Sequence, residues 1–449
     1  MKRKKERKTT MTSKKLTLNF NEKNRKLSLE ELKAEASHCL NCPKPNCKAN
    51  CPISNEIPSF IAAFKNEEYE KAYSILMENT CFPDICSIVC PHEKQCMGHC
   101  VRNFKGEPVN IPAIERKIAE LHKESFEKPA NSGHKFAAIG SGPASLAFAL
   151  KLAIKGHKVV IYEKDNFIGG VLKWGIPSFR LPKEKLDKYI SKLEKLGVEF
   201  VLNHKIDEKH PLDELIKEYD GVFIGVGAPN SNKMRIPGED LKGIYHTDEF
   251  LTKINLQDGK DRVFPEIGRC VMIVGGGNAA MDAARAAVRL PQVERVTIVY
   301  RRTENEMPAC KAELEEAKTE GIEFKTLTNP VQFIGINGQV NNVECAIMEL
   351  GEPDASGRRR PVESDKPHLF IAASTVVLAL GFSNDFELCN SSFGLETDKW
   401  GVIQVNEDNE TSIKNVYAGG DATRGASTVV NAMKDGLNAA KALFRKLGE

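Results

Sequence analysis

No run of apolar residues in this chain approaches the roughly 18–20 that a membrane-spanning helix requires, so helical membrane spans are excluded. Strong charge of one sign is missing too. The formal net charge is +3, and the first fifteen residues, MKRKKERKTTMTSKK, hold eight Lys or Arg against one Glu, so the remainder is slightly acidic. Aromatic residues are nowhere interleaved with cations in the way base stacking needs, which removes the reading of a zinc-stabilised nucleic-acid protein. The basic start has no apolar stretch behind it and is no export signal. Residues 1–27 read as a solvated, disordered tail, with docking to an anionic partner as the other reading and Met11 as a second possible start. No short repeat period runs through the chain. With 41% hydrophobic and 28% charged residues over 449 positions, what is left is an ordinary globular chain of about two to three domains.

The cysteines are unevenly placed. Nine of thirteen fall within residues 39–100, as Cys39-x2-Cys42-x4-Cys47-x3-Cys51-Pro52 and Cys86-x3-Cys90-Pro91-x4-Cys96-x3-Cys100, with Cys81 just ahead of the second run. Without an export signal, and with the nucleotide motifs below, this is a cytoplasmic chain, and clustered thiols there bind metal or do redox chemistry. Zinc modules pair two Cys-x2-Cys units, and only Cys39–Cys42 has that spacing. Runs that end in Cys-Pro and lend a cysteine to a second cluster are an iron–sulfur device. Ser28-Leu-Glu-Glu31 is a capping box opening a short helix, two more helices are expected between Ile57 and Met77, and another over Ile111–Leu121. Residues 28–125 thus form a helical iron–sulfur domain, and 127–134 a linker.

From Lys135 the texture becomes strand, turn and helix. The strand Phe136–Ile139 enters Gly140-Ser-Gly142-Pro143-Ala144-Ser145, and the next strand ends at Glu163. A second copy runs from Cys270-Val-Met-Ile-Val274 into Gly275-Gly276-Gly277-Asn278-Ala279, with its following strand ending at Tyr300-Arg301-Arg302. In each, the glycines permit a tight turn and let a pyrophosphate approach the helix N-terminus. Glu163 can accept both hydroxyls of an unmodified ribose, whereas two guanidinium groups suit a 2′-phosphate. The first site therefore reads as FAD and the second as NADPH. Near the C-terminus, Gly420-Asp421 follows a strand and Thr428 opens a helix, an arrangement that in two-dinucleotide flavoproteins meets the flavin. The expected fold is α/β: two doubly wound dinucleotide-binding lobes preceded by a small α-helical 4Fe-4S domain. The FAD domain is discontinuous, 135–240 plus 375–449, and the NADPH domain spans 241–374. Cys270, Cys310, Cys345 and Cys389 are isolated and form no redox pair, so electrons leave through the N-terminal cysteines.

Taken together, Cys39–Cys51, Cys86-Ser-Ile-Val-Cys90-Pro, Gly140-Ser-Gly-Pro-Ala, Gly175-Ile-Pro-Ser-Phe-Arg180-Leu-Pro, Gly275-Gly-Gly-Asn-Ala-Ala-Met-Asp282, Tyr300-Arg-Arg and Ala418-Gly-Gly-Asp421 resemble the glutamate synthase small-subunit family. The N-terminal half of dihydropyrimidine dehydrogenase and the large subunit of NADH-dependent ferredoxin:NADP oxidoreductase are relatives. The resemblance implies two 4Fe-4S clusters, one on Cys39, Cys42, Cys47 and Cys100, the other on Cys51, Cys90, Cys96 and Glu115, with Cys81 and Cys86 left over. It also implies that Lys164, Gly170, Val171 and Arg180 line the flavin and that Ala379-Leu380-Gly381 lies where the nicotinamide lobe rejoins the FAD lobe. The implied activity is hydride transfer from NADPH to FAD, then electron transfer through the clusters to a partner, without a catalytic acid or base. That partner is a large glutamate synthase-type subunit; a pyrimidine dehydrogenase or ferredoxin partner, and a non-catalytic redox sensor, are the other readings.

Overall fold

In the computed structural model the described residues are 27–123, 129–257, 264, 266–354, 357–384 and 394–449. Apart from Leu27 the basic tail lies outside them, as does Cys389.

The N-terminal unit is helical. Ser28 caps the helix Leu29–Ser37: its hydroxyl accepts from the Glu31 amide at 3.1 Å, and its own amide donates to the Glu31 carboxylate at 2.8 Å. Helices Ile57–Lys65, Tyr69–Asn79 and Ile111–Leu121 follow where the apolar spacing predicts them. Their buried faces meet through Phe60, Phe64, Leu76, Ile114 and Ile118, each worth about 1.5–3 kcal/mol in removal from water. The short helix Pro83–Val89 ends at Cys90 and docks on the next unit. There the Tyr189 hydroxyl donates to the buried Asp84, and Lys151 Nζ donates to the Met77 carbonyl at 2.9 Å.

The first parallel sheet runs in the order Val416–Ala418, Gly221–Ile224, Lys135–Ile139, Lys158–Tyr162, Glu199–Val201. Helices Pro143–Ala153 and Val429–Leu447 cross over it, and their closeness depends on Gly436: a Cβ there would sit 2.0 Å from the Ala144 carbonyl oxygen. The second parallel sheet runs Ile244–His246, Thr375–Leu378, Cys270–Val274, Arg295–Val299, Glu323–Lys325.

Thr375–Leu378 corrects the expected boundary. The returning FAD segment is expected from residue 375, yet this strand pairs with Cys270–Val274, Val376 opposite Met272, inside the second sheet. All four residues are buried, and a run apolar on both faces does not say which parallel sheet it joins. The chain crosses back only after Gly381, where Phe382–Ser383 pairs antiparallel with Asn230–Ser231, the outgoing crossover. An antiparallel sheet that no motif announced covers the second lobe: Thr328–Ile336 pairs with Gln339–Pro353, whose other edge takes Arg359–Glu363 and Leu369–Ala372. Among the described residues no helix is long and apolar enough to cross a membrane.

Candidate redox site

At the first glycine turn Gly140 has φ +84°, and a Cβ there would meet the Gly225 carbonyl oxygen at 2.7 Å. Gly142 then caps the helix Pro143–Ala153. Glu163, buried at the end of its strand, is bound to this turn. Its carboxylate accepts from the Ser141 amide at 2.8 Å, the Ser141 hydroxyl at 2.5 Å and the Asp165 amide at 3.0 Å. The Ser141 hydroxyl in turn accepts from the Gly169 amide at 3.0 Å, so one carboxylate organises both loops that face the cavity. Ser145, in place of a third glycine, is fully buried and packs against Gly225, where a Cβ would come within 2.2 Å of its Oγ. Close packing is therefore supplied by Gly225.

The second turn repeats the plan with Gly275 at φ +145° against the Ala379 carbonyl, and the helix Asn278–Ala287 begins after Gly277. Its strand end differs. Arg301 is exposed, whereas Arg302 is 5% exposed, donates from Nε to the Arg359 carbonyl at 2.6 Å and pairs with Asp354 at 2.7 Å. The two arginines are thus brought to one place with different commitments.

Both turns open on a single cavity of about 1330 Å³. Each dinucleotide residue named from the sequence lines it except Ser145: Gly140, Gly142, Pro143 and Ala144; Glu163, Lys164, Gly170, Val171 and Arg180; Gly275 to Ala279; Arg301 and Arg302; Ala379 to Gly381; and Gly420, Asp421 and Thr428. The volume exceeds the roughly 300–1,000 Å³ of a single small-ligand pocket, as a chamber for two facing dinucleotides must. Burial pushes the Asp421 carboxyl up to about 6, although the Ser427 amide donates to it at 3.0 Å. Arg180 also joins the lobes, since it pairs with Asp282 at 2.8 Å and Glu313 at 2.7 Å, both in the second lobe. Its neighbour Phe179 lies under the guanidinium groups of Arg285 and Arg289, 4.9 and 3.9 Å from its ring centre. The segment read as flavin lining is therefore also the clasp between lobes. Its partners Asp282 and Glu313 escape a reading of the sequence because they lie more than a hundred positions away.

The thiols fall into two groups. Cys39, Cys42, Cys47 and Cys100 face one another, and burial raises the Cys39 and Cys47 thiols, the latter to about 11. Cys51, Cys90 and Cys96 gather around Glu115. Glu115 is 8% exposed, its carboxyl is raised to about 8 by burial, and among the described residues it accepts no hydrogen bond. A buried carboxylate facing three thiols and without a donor fits a cation-rich cluster. Cys86, left over by the ligand pattern, stands beside Cys90 and near Cys51 within this second group; Cys81 is buried against the FAD lobe instead. Among the described residues no three such side chains meet closely enough to hold one ion, and the ligands of a 4Fe-4S cube each bind a different iron. Val89 and Pro91, on either side of Cys90, line the dinucleotide cavity, so the second thiol group is the inner one. Nothing in 39–47 or 96–104 reaches that cavity.

Comparison with known proteins agrees with this layout. Residues 134–436 match the family model described as pyridine nucleotide-disulphide oxidoreductase, and residues 16–126 the model described as dihydropyrimidine dehydrogenase domain II, 4Fe-4S cluster. The chain is 36% identical to the glutamate synthase [NADPH] small chain of Escherichia coli over 93% of this chain and 92% of that one. It is 35% identical to the NADP(+)-dependent formate dehydrogenase subunit beta of Moorella thermoacetica, over 89% of this chain and 60% of that one. Among solved structures, FprA of Mycobacterium tuberculosis in complex with NADPH superposes with a TM-score of 0.59 at 22% identity, over 70% of this chain and 84% of that one.

Proposed function

Because the chain belongs to the pyridine nucleotide-disulphide oxidoreductase family, carries a 4Fe-4S domain of the dihydropyrimidine dehydrogenase type and has FAD, NADPH and 4Fe-4S clusters as its cofactors, we propose that it is an electron-input subunit of the glutamate synthase small-chain type. When bound, FAD takes a hydride from NADPH and releases the electrons singly, which is why it stands between a two-electron donor and one-electron carriers. Val89 and Pro91, which flank Cys90 in the wall of the dinucleotide cavity, carry this reading.

The chain's own contribution is positioning. Gly140, Gly142 and the start of helix Pro143–Ala153 receive the FAD pyrophosphate, Glu163 holds the turn and offers oxygens to the ribose, and Asp421 and Thr428 close the far end of the flavin chamber. Gly275 to Ala279 receive the NADPH pyrophosphate. Arg301 meets the 2′-phosphate, and Arg302 braces the Asp354 hairpin beside it. The Arg180 clasp to Asp282 and Glu313 keeps the nicotinamide half of the chamber facing the flavin half. Cys51, Cys90, Cys96 and Glu115 hold the inner cluster; Cys39, Cys42, Cys47 and Cys100 hold the outer. The electrons leave for a large subunit in the cytoplasm that completes glutamate formation. The match to the Escherichia coli small chain along nearly its whole length favours this acceptor over a formate dehydrogenase or ferredoxin.

Anaerobic purification followed by spectroscopy tests the reading. We expect flavin bands, about eight iron and eight sulfide per chain as two 4Fe-4S clusters require, bleaching by NADPH, and co-purification of a large amidotransferase subunit. Zinc in place of iron, or a flavin left oxidised by NADPH, would contradict it.

A further inference from the structure

The outer thiol group lies beside exposed apolar side chains. Of the large apolar side chains left exposed among the described residues, Leu40 (61% exposed), Val101 and Phe104 (80%) fall on the two segments that bear Cys39 and Cys100. Leu40 directly follows Cys39, Val101 directly follows Cys100, and Phe104 ends the single 3-10 turn Val101–Phe104. The two thiols lie near each other, so the segments that carry these side chains are neighbours. Exposure of this kind costs solubility and signals an interaction site.

Charge on the two cysteine-bearing segments is mostly of one sign. Segments 37–50 and 99–107 carry Lys44, Lys48, Arg102 and Lys105 against Glu107 alone. Lys48 pairs with Glu56, and Lys65, exposed on the next helix, lies near Cys39. Lys44 and Lys105 are exposed. An apolar centre with a cationic rim is complementary to a protein face with an apolar centre and a rim of carboxylates, and such a rim steers encounter as well as orientation.

We propose that Leu40, Val101 and Phe104, together with Lys44, Lys65, Arg102 and Lys105, form the docking face through which the outer cluster hands electrons to an acidic face of the accepting subunit. This rests on the electron-input reading above. The balance is one NADPH oxidised to NADP⁺ and a proton while the accepting partner gains two electrons, one at a time.

The test uses the full, anaerobically purified holoprotein with three acceptors: an acidic two-cluster ferredoxin as probe, the basic haem protein cytochrome c, and menadione, a small neutral quinone. Leu40→Ser with Phe104→Ser is expected to lower the rate to ferredoxin about tenfold and the rate to menadione by less than twofold, each equal to about 1.4 kcal/mol per factor of ten. Lys44→Glu with Lys105→Glu is expected to lower the ferredoxin rate at low salt and to converge with the parent protein at high salt, as screened charges do. Neither pair is placed among the cofactor-holding residues. Unchanged ferredoxin rates in both variants, or a parent protein that reduces cytochrome c faster than ferredoxin at low salt, would overturn the docking face while leaving the input reading intact. Clusters that NADPH never reduces in the parent protein would overturn both.

Discussion

The two glycine turns are the same device built twice, and their difference lies one strand later. In each, a positive-φ glycine packs its backbone against a carbonyl of a neighbouring strand, Gly140 on Gly225 and Gly275 on Ala379, and a helix begins two or three residues on. At the end of the next strand the first copy turns a buried carboxylate inward, and Glu163 accepts from the Ser141 amide and hydroxyl. The second copy has an exposed guanidinium, Arg301, beside a buried one already committed to Asp354. On the proposed function, the turn makes a phosphate cradle and the strand end selects the nucleotide. A carboxylate there repels a 2′-phosphate; a cation recruits it.

Breaking the cradles should have the largest effect. Gly140→Val forces a β-branched residue into a left-handed conformation costing about 1–3 kcal/mol and drives its Cβ into a backbone carbonyl. We expect protein purified without flavin, checked by absorbance. Gly275→Val should keep flavin and lose NADPH-dependent bleaching, so the pair separates the two cradles. Next comes the strand end. Arg301→Ala should lower kcat/KM for NADPH about 10- to 100-fold, the worth of a hydrogen bond between charged groups of about 1.5–3 kcal/mol, and leave NADH use unchanged. An equal loss for both nucleotides would sink the 2′-phosphate role. Arg302→Ala should act more weakly and on both nucleotides alike, since its partner is the Asp354 hairpin.

The smallest expected effect is in stability. Burial raises the Asp421 carboxyl to about 6, so between about pH 4 and 6 the folded chain keeps a proton that the unfolded chain has lost. Stability of the flavin-free protein therefore falls as pH rises through that window. Asp421→Asn should remove this group's share of the dependence and stabilise the flavin-free protein at pH 7 by about 1 kcal/mol, measured by denaturant unfolding at pH 4.5 and 7, while weakening FAD retention.

Local signals are readable from the chain alone. The Ser28–Glu31 capping box, the helices around Phe60 and Leu76, and both strand–turn–helix units each rest on residues within a dozen positions of one another. What escapes depends on distance. Asp354 lies 52 positions beyond Arg302, Asp282 lies 102 beyond Arg180, and the four buried residues of Thr375–Leu378 have the same apolar texture as strands of either sheet. Ser145 shows a subtler gap. Its small side chain suits close helix–strand packing, but that Gly225, eighty residues on, gives the space is visible only in the fold. Cys86 has no place in the ligand pattern, and only the fold puts its thiol against Cys90.

On the proposed function, electrons entering at the Arg301 side leave through the cysteines by way of the group beside Val89 and Pro91. Rapid anaerobic mixing of the holoprotein with one equivalent of NADPH, followed by visible absorbance and freeze-quenched electron paramagnetic resonance, tests it most directly. We predict flavin bleaching first and a reduced-cluster signal second, with Cys90→Ser abolishing the second phase and sparing the first. A cluster signal that persists unchanged in Cys90→Ser, or clusters that stay oxidised while the flavin is fully reduced in the parent protein, would contradict the account.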